Sequence, residues 1–430
     1  RTAPRLGLVA RGDLARMDVA VAGRAPGPVR AGVTLRGREH PRWQLRSTAE
    51  AFDPALLAGG EPGVPLAWSL QADGVEGAAD LRGRVSRDGQ TLTVLPSKLR
   101  LNEQVLDVQP LALALLDGTL TLRGRADLRD PEHGTLRFAV NARQLKWGGG
   151  KGTPAIIANG DFGLAGALQA WAAIGTARLE RDGQAADLRF DARGNTERAR
   201  LKSLQARMPT GTLDARGDVA WAPSLRWALN ADLAGFDPGY FAPAWKGAVN
   251  GVLASEGHTR GDGGLEATLD VQRLGGRLRD RALAGQGRFA LHGAAPGRGE
   301  DRYEGDVALS LGASRVQAKG TVGSTLDVDA RFTPLHLADL LPEGQGTLQG
   351  QLHLRGPRNA PDVDVDLDGR GLRYGDYRAD TLRARGRLPW RGRDGTLDVQ
   401  ATGLQAGLPF DTLDLTARGA VEALQLDARA

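Results

Sequence analysis

Residues that could perform acid–base, nucleophilic or metal chemistry are scattered through this 430-residue sequence. None of the six histidines stands at His-x-x-x-His or His-x-His spacing with a carboxylate, so we predict no metal site. The absence of cysteine excludes a thiolate nucleophile, a disulfide framework and a cysteine-based zinc site. No Gly-x-Ser-x-Gly elbow is present to supply a hydrolase serine. The sequence therefore predicts no catalytic residue, no enzyme and no cofactor.

Two short motifs resemble ligand-binding loops but depart from them at an essential position. Residues 148–153 resemble a phosphate-binding loop, yet Gly152 separates Lys151 from the threonine that must follow it directly. Residues 364–369 match the first half of a calcium-binding loop, but Gly375 stands where a bidentate Glu is required. We interpret the first as a loop between strands and the second as the solvent face of a strand.

The charge balance does not indicate a polyanionic partner. The chain has 56 Lys and Arg against 51 Asp and Glu, a formal net charge of +5. Arg and Asp alternate along segments such as residues 188–193, whereas nucleic-acid-binding proteins concentrate positive charge in a patch or stripe. We therefore predict no nucleic-acid partner and interpret the charges as solvated strand faces.

Alternation of apolar and polar residues is the dominant pattern, as in residues 119–123, 362–368 and 396–401. It is typical of strands with one covered face. Asp-Gly pairs at 88–89, 117–118, 182–183 and 394–395 favour two-residue hairpin turns, hence antiparallel pairing. A recurring phrase, apolar-x-apolar-x-Gly, predicts that strands end or bend at Gly37, Gly124, Gly217, Gly320, Gly356, Gly386 and Gly419.

Related phrases near residues 52, 145, 236 and 332 indicate a repeat of roughly 90 to 100 residues. Proline follows Asp53, Asp237 and Thr333, which predicts that short helices begin there. We find no linker, so we predict that residues 1–430 form one continuous repetitive β region without a clear domain boundary. The predicted fold is all-β: an elongated, curled antiparallel sheet (a β-taco, or trough) built from repeats, with a few short helices.

The apolar face of such a sheet is the candidate binding surface, because it must be covered by another layer, by closure on itself or by a ligand. Aromatic residues make up only 5% of the chain, which is compatible with an interior left open for flexible acyl chains. The residues predicted to line this groove are Leu92, Val94, Leu113, Leu115, Leu120, Leu122, Leu188, Phe190, Leu213, Leu352, Leu354, Val363, Val365, Leu367, Leu397 and Val399.

Several phrases resemble the TamB family, which belongs to the AsmA-like bacterial envelope proteins. They are Gly-Gln-Leu-His-Leu-Arg-Gly at 350–356, followed by Pro-Asp-Val at 361–363 and Leu-Arg-Tyr-Gly at 372–375, the segment 204–217, and Phe-Asp-Pro at 52–54 and 236–238. The resemblance implies a periplasmic protein anchored in the inner membrane through a segment that we expect outside this internal fragment. It also implies a groove that carries phospholipid between the two membranes.

The same resemblance implies a link to outer-membrane protein assembly. The implied partner is TamA, an outer-membrane barrel of the BamA type, contacted through a region that we expect outside this fragment. Two alternatives remain open at this point. A structural β-repeat fibre or secreted adhesin would share the repeats but close its core, and a carbohydrate-active β-helix enzyme is disfavoured by the hairpin turns.

Overall fold

The alternating pattern folds into strands throughout the part of the chain that the computed structural model describes. That part comprises residues 5–13, 15–24, 27–53, 65–87, 89–130, 134–149, 154–295, 297–341, 343–392 and 395–429. The chain divides into two units, Arg1–Ala206 and Arg207–Ala430. No helix in the described ranges has the length and apolar character needed to span a membrane.

The strands of the first unit, the last of which extends one residue beyond it, are β1 (Arg5–Gly12), β2 (Arg16–Arg24), β3 (Pro28–Arg36), β4 (Arg42–Phe52), β5 (Leu66–Val75), β6 (Ala78–Arg87), β7 (Gln90–Asn102), β8 (Val105–Leu115), β9 (Gly118–Asp127), β10 (Thr135–Trp147), β11 (Ile156–Ala167), β12 (Ala170–Arg181), β13 (Gln184–Gly194) and β14 (Arg198–Arg207).

The second unit contains β15 (Thr212–Ala220), β16 (Arg226–Phe236), β17 (Gly247–Thr259), β18 (Leu265–Leu278), β19 (Arg281–His292), β20 (Arg302–Leu311), β21 (Ser314–Val322), β22 (Thr325–His336), β23 (Gln345–Pro357), β24 (Asp362–Tyr374), β25 (Tyr377–Leu388), β26 (Gly395–Ala406), β27 (Leu408–Ala420) and β28 (Ala423–Arg429). Two 3₁₀ turns, Pro238–Tyr240 and Pro243–Trp245, and one short helix, α1 (Leu337–Leu340), complete its described elements.

Antiparallel pairing of sequence neighbours organises both units. Each strand from β1 to β12 pairs with the next, which includes β12 with β13. The same holds from β15 to β28. The predicted all-β, antiparallel fold with few short helices is therefore confirmed.

The Asp-Gly turns were predicted with mixed success. Asp182 and Gly183 have φ values of 50° and 73° between the paired residues Arg181 and Gln184, which is the expected hairpin turn. At 117–118 the prediction was wrong by one residue, because Leu116 and Asp117 form the turn and Gly118 already pairs in β9. Residues 88 and 394 lie outside the described part, and Gly395 is the first residue of β26.

Glycines of the recurring phrase lie inside strands instead of ending them, except Gly37, which follows β3. Gly320 is representative. It lies inside β21 with φ of +154°, and a Cβ added there would meet the Asp327 carbonyl oxygen at 2.0 Å. Only glycine permits this close approach of neighbouring backbones, because any larger residue would place its Cβ against that oxygen.

The four repeat phrases occupy every sixth strand, β4, β10, β16 and β22. Each of these strands shifts register against its next neighbour at the same point near its end. The shifts lie between Ala49 and Phe52, Ala142 and Leu145, Leu233 and Phe236, and Phe332 and Leu335. A β-bulge recurring with the phrase gives the sequence repeat a structural counterpart within each unit.

The bulges leave a backbone N–H group that needs an acceptor outside the regular ladder. Asn159 on β11 accepts a hydrogen bond from the Gln144 N–H group at 2.9 Å, and Asn250 on β17 accepts one from Gly235 at 2.8 Å. Pro334 stands at the corresponding place in β22 and has no N–H group to satisfy. At these bulges, the N–H group is therefore either bound by an asparagine side chain or absent because the residue is proline.

The predicted helix starts were partly wrong. Asp237 does cap the 3₁₀ turn Pro238–Tyr240, accepting hydrogen bonds from the N–H groups of Gly239 and Gly247. Thr333 and Pro334 instead lie within β22, because pairing with β23 continues to His336, and α1 begins only at Leu337. The residues after Asp53 lie outside the described part.

Candidate ligand groove

In the first unit, apolar residues are paired with apolar residues or glycine on neighbouring strands, and they lie on one face. Directly opposed residues of antiparallel strands point to the same side of the sheet. One such row runs through Val94, Leu113, Leu120, Ala142, Gly160, Ala177 and Leu188. The predicted residues on this face are Leu92, Val94, Leu113, Leu115, Leu120, Leu122, Leu188 and Phe190. All predicted residues of this unit therefore share one surface.

The second unit repeats the arrangement independently. Its central row runs through Leu213, Leu233, Gly251, Leu274, Gly285, Leu309, Val316, Phe332, Gly350, Leu367, Ala384 and Val399. Large side chains alternate with glycine along part of this row, so each leucine lies against a strand without a side chain at that point. The predicted residues on this face are Leu213, Leu352, Leu354, Val363, Val365, Leu367, Leu397 and Val399.

These apolar faces remain partly accessible. Of the sixteen predicted residues only Val94, at 8%, and Val365, at 7%, are buried, and the others are half-buried. The chain exposes 26566 Å² of surface. One compact protein of 45.5 kDa would expose roughly 16,000 Å², and two compact proteins of half that mass roughly 19,000 Å² in total. The chain therefore exposes more surface than ordinary globular domains of the same total mass would expose.

An open concavity of about 1240 Å³ lies on the first unit, between β6 and β9. Its lining includes Val85, Leu92, Leu95 and Leu115, together with polar residues, most of which lie in the same strands. This volume exceeds the range of about 300 to 1,000 Å³ that is usual for small-molecule sites.

Tryptophans at the strand ends of the apolar faces were not singled out from the sequence. Three of them lie directly opposite a glycine of the next strand: Trp43 opposite Gly74, Trp171 opposite Gly194, and Trp227 opposite Gly257. Each indole N–H group donates a hydrogen bond, to the Glu76 carbonyl, the Asn195 carbonyl and the Ser255 hydroxyl respectively. The sequence could have indicated them, because each tryptophan occupies the same alternate positions of its strand as the neighbouring aliphatic residues.

Part of the second apolar face is covered by the chain itself. Val249, Leu283 and Leu311 form a buried cluster, against which Leu340 of α1 packs. This helix is held by Asp339, which is 1% exposed, pairs with Arg281 and accepts a hydrogen bond from the Ser314 hydroxyl at 2.5 Å. We call this set, Arg281, Ser314 and Asp339, the helix clasp.

Ion pairs with arginine keep several carboxylates charged. The Arg129 side chain and backbone N–H group donate hydrogen bonds that lower the pKa of Asp127 to about 2. A hydrogen bond from Arg143 likewise lowers the pKa of Asp161, and one from Arg383 lowers the pKa of Asp368. These groups stay ionised near neutral pH, so they are unsuited to donate protons in general acid catalysis.

The two ligand-like motifs gain no site from the fold. Asp366 and Asp368 lie on the polar face of β24, where they pair with Arg385 at 3.0 Å and Arg383 at 2.8 Å. No group of three His, Asp or Glu side chains within the described ranges could hold a metal ion. Gly148 and Gly149 follow β10, and residues 150–153 lie outside the described part.

The comparisons with known proteins agree with the family resemblance of the sequence. A family described as "TamB, N-terminal domain" matches residues 99–430, well over half of the chain. A relative, the translocation and assembly module subunit TamB of Haemophilus influenzae, is 21% identical over 238 residues. That alignment covers 55% of this chain and 18% of the relative, so the chain spans a small part of that protein's length. Because the family match covers most of the chain, we conclude that this chain belongs to the TamB family.

Proposed function

We propose that this chain is part of a periplasmic bridge that carries phospholipid acyl chains along its apolar faces, between the inner and outer membranes of a bacterium. No catalytic step is part of the proposal. The chain supplies a surface on which hydrocarbon leaves water at a gain of about 0.8 kcal/mol for each methylene buried. Because apolar residues continue from strand to strand, a lipid can move along the sheet while its methylenes stay out of water.

One observation carries the proposal: in each unit, apolar residues stay in register from strand to strand while remaining partly accessible. A closed core would bury most of them, and a purely structural sheet needs no such open surface. The concavity at Leu92 and Leu115 supports the same interpretation, since aliphatic side chains form part of its lining. The structural fibre is the alternative, and it requires that these faces be covered by protein.

The remaining parts of the proposal rest on family membership. The Haemophilus influenzae relative is named as a subunit of a translocation and assembly module. We propose that this chain also acts with a partner, an outer-membrane barrel of the BamA type (TamA), bound through a region outside the given sequence. We further propose anchoring in the inner membrane, also through a segment outside this sequence, and a contribution to outer-membrane protein assembly.

Site-specific photo-crosslinking tests the proposal. A photoreactive amino acid at Phe190, on the apolar face of β13, should form adducts with phospholipid in cells. The same group at the neighbouring Arg189, on the polar face, is the matched control and should not. Adducts of equal abundance at both positions, or adducts with protein alone at Phe190, would contradict lipid conduction and favour the fibre.

A further inference from the structure

The polar face of the first seven strands carries an unusual excess of positive charge. Its paired positions include the exposed cations Arg5, Arg11, Arg16, Arg24, Arg30, Arg36, Arg42, Arg46, Arg82, Arg84, Lys98 and Arg100. The carboxylates at paired positions of the same face are Asp18, Asp73 and Asp80. We call this surface the arginine face. The excess of cations over carboxylates at these positions is larger than the net charge of +5 of the whole chain.

Several of these arginines face each other directly. Arg5 is opposite Arg24 in the β1–β2 pair, and Arg36 is opposite both Arg16 and Arg42 in the next two pairings. Like charges directly opposite one another in antiparallel strands are destabilising, because their Cβ atoms lie about 5 Å apart. An external anion at this surface would relieve that repulsion.

Elsewhere the polar faces neutralise their own charges. Arg178 pairs with Asp187 at 3.1 Å in the first unit, and Arg385 pairs with Asp366 at 3.0 Å in the second. On the arginine face, within the described residues, the closest approach of an arginine to a carboxylate is 3.9 Å, between Arg16 and Asp18. Arg36 therefore projects beside cations and into solvent, which makes it available to an anionic partner.

The geometry points to an anionic lipid surface as that partner: we infer that the arginine face docks on phospholipid headgroups. Single-stranded nucleic acids are usually bound by basic grooves that also offer aromatic rings for base stacking. The aromatic side chains of these strands, Trp43, Phe52 and Trp68, share register positions with the apolar face instead. Arginines arrayed on an exposed face and lacking stacking groups match the electrostatic attraction of basic segments to anionic membranes. This docking does not depend on acyl-chain conduction.

Vesicle flotation of the 430-residue chain tests the inference. Vesicles of phosphatidylcholine containing about a quarter phosphatidylglycerol should bind it, with affinity falling steeply as salt rises, and pure phosphatidylcholine vesicles should not. The triple variant Arg16→Gln, Arg36→Gln, Arg42→Gln should weaken binding roughly a hundredfold, at roughly fivefold for each arginine removed. Melting should be unchanged or slightly higher, since repulsion is removed.

The matched control removes the same charge from paired arginines of the second unit. The triple variant Arg355→Gln, Arg383→Gln, Arg385→Gln breaks exposed ion pairs with Asp327, Asp366 and Asp368, and it should leave flotation unchanged. Equal losses in both triples, or equal binding to both vesicle types, would overturn the inference. So would tighter binding to a single-stranded oligonucleotide, which would reassign the face. Phospholipid adducts at Phe190 report on conduction separately, so either idea can fail alone.

Discussion

Replacing Leu122 with arginine separates an open groove from a closed core. Leu122 lies half-buried on the apolar face of β9, opposite Leu111 and Val140. An arginine there can extend its charged end to water, so we expect the free energy of unfolding to fall by only about 1 kcal/mol, the contacts of a half-buried leucine. In a closed core the unpaired charge would instead cost several kcal/mol.

The same substitution should obstruct lipid strongly. If the guanidinium group keeps about three methylenes of an acyl chain in water, at about 0.8 kcal/mol each, loading falls roughly fiftyfold. Loading can be measured as phospholipid adducts at Phe190, which shares a register row with Leu122 through Val140, Phe162 and Gly175. Native mass spectrometry of the purified chain gives a second measure of bound phospholipid.

The matched control is Thr121→Arg, on the opposite face of the same strand, between Ala112 and Asn141. It adds the same charge one residue away, so it should change neither melting nor lipid loading. The reasoning is refuted if Leu122→Arg unfolds the chain, because the face would then be closed. It is also refuted if both variants reduce adducts equally, because loading would not depend on the face.

Three further predictions concern stability, and thermal or urea unfolding measures each. Gly320→Ala should cost more than about 2 kcal/mol because its Cβ would strike the Asp327 carbonyl, whereas Ala at the opposed Gly305, where the nearest atom lies 3.8 Å away, should be tolerated. Arg281→Ala leaves the buried Asp339 carboxylate without its ion-pair partner and should cost about 3 kcal/mol; an unchanged midpoint would show that α1 does not depend on the clasp. Val365→Asp places a short charged side chain at a site that is 7% exposed, so it should destabilise the chain more than Leu122→Arg, and lipid loss in this variant alone would be uninformative.

Local pattern was sufficient for the strands and their faces. Alternation along residues 362–368 determines which side chains share a surface, because successive residues of any strand point to opposite sides. Antiparallel neighbours then follow from turns such as Asp182-Gly183, which reverse the chain within two residues. For this reason all predicted residues of each unit share one face, although their role in binding lipid stays a prediction.

Turn positions and helix starts depended on more than local preference. Asp117-Gly118 carries the favoured dipeptide, yet the pairing of Leu115 with Gly118 moved the turn one residue earlier. Thr333 and Pro334 carry a helix-start signal, yet they form a bulge within β22, because pairing with β23 resumes immediately after them at Leu335. Pairing across a whole strand outweighs the small local free energies of a turn or a cap.

The amino-acid sequence by itself determined that this chain is a repetitive antiparallel β protein with one apolar and one polar face. Tertiary structure decided which distant residues meet: Arg281 with Asp339 in the helix clasp, and Arg36 between Arg16 and Arg42 on the arginine face. The arginine alignment depends on the register of three neighbouring strands, and register can change within a strand, as at each recurring bulge, where it shifts by one residue. Alternation repeats every two residues, so it defines the faces but cannot fix which residues on neighbouring strands stand opposite each other.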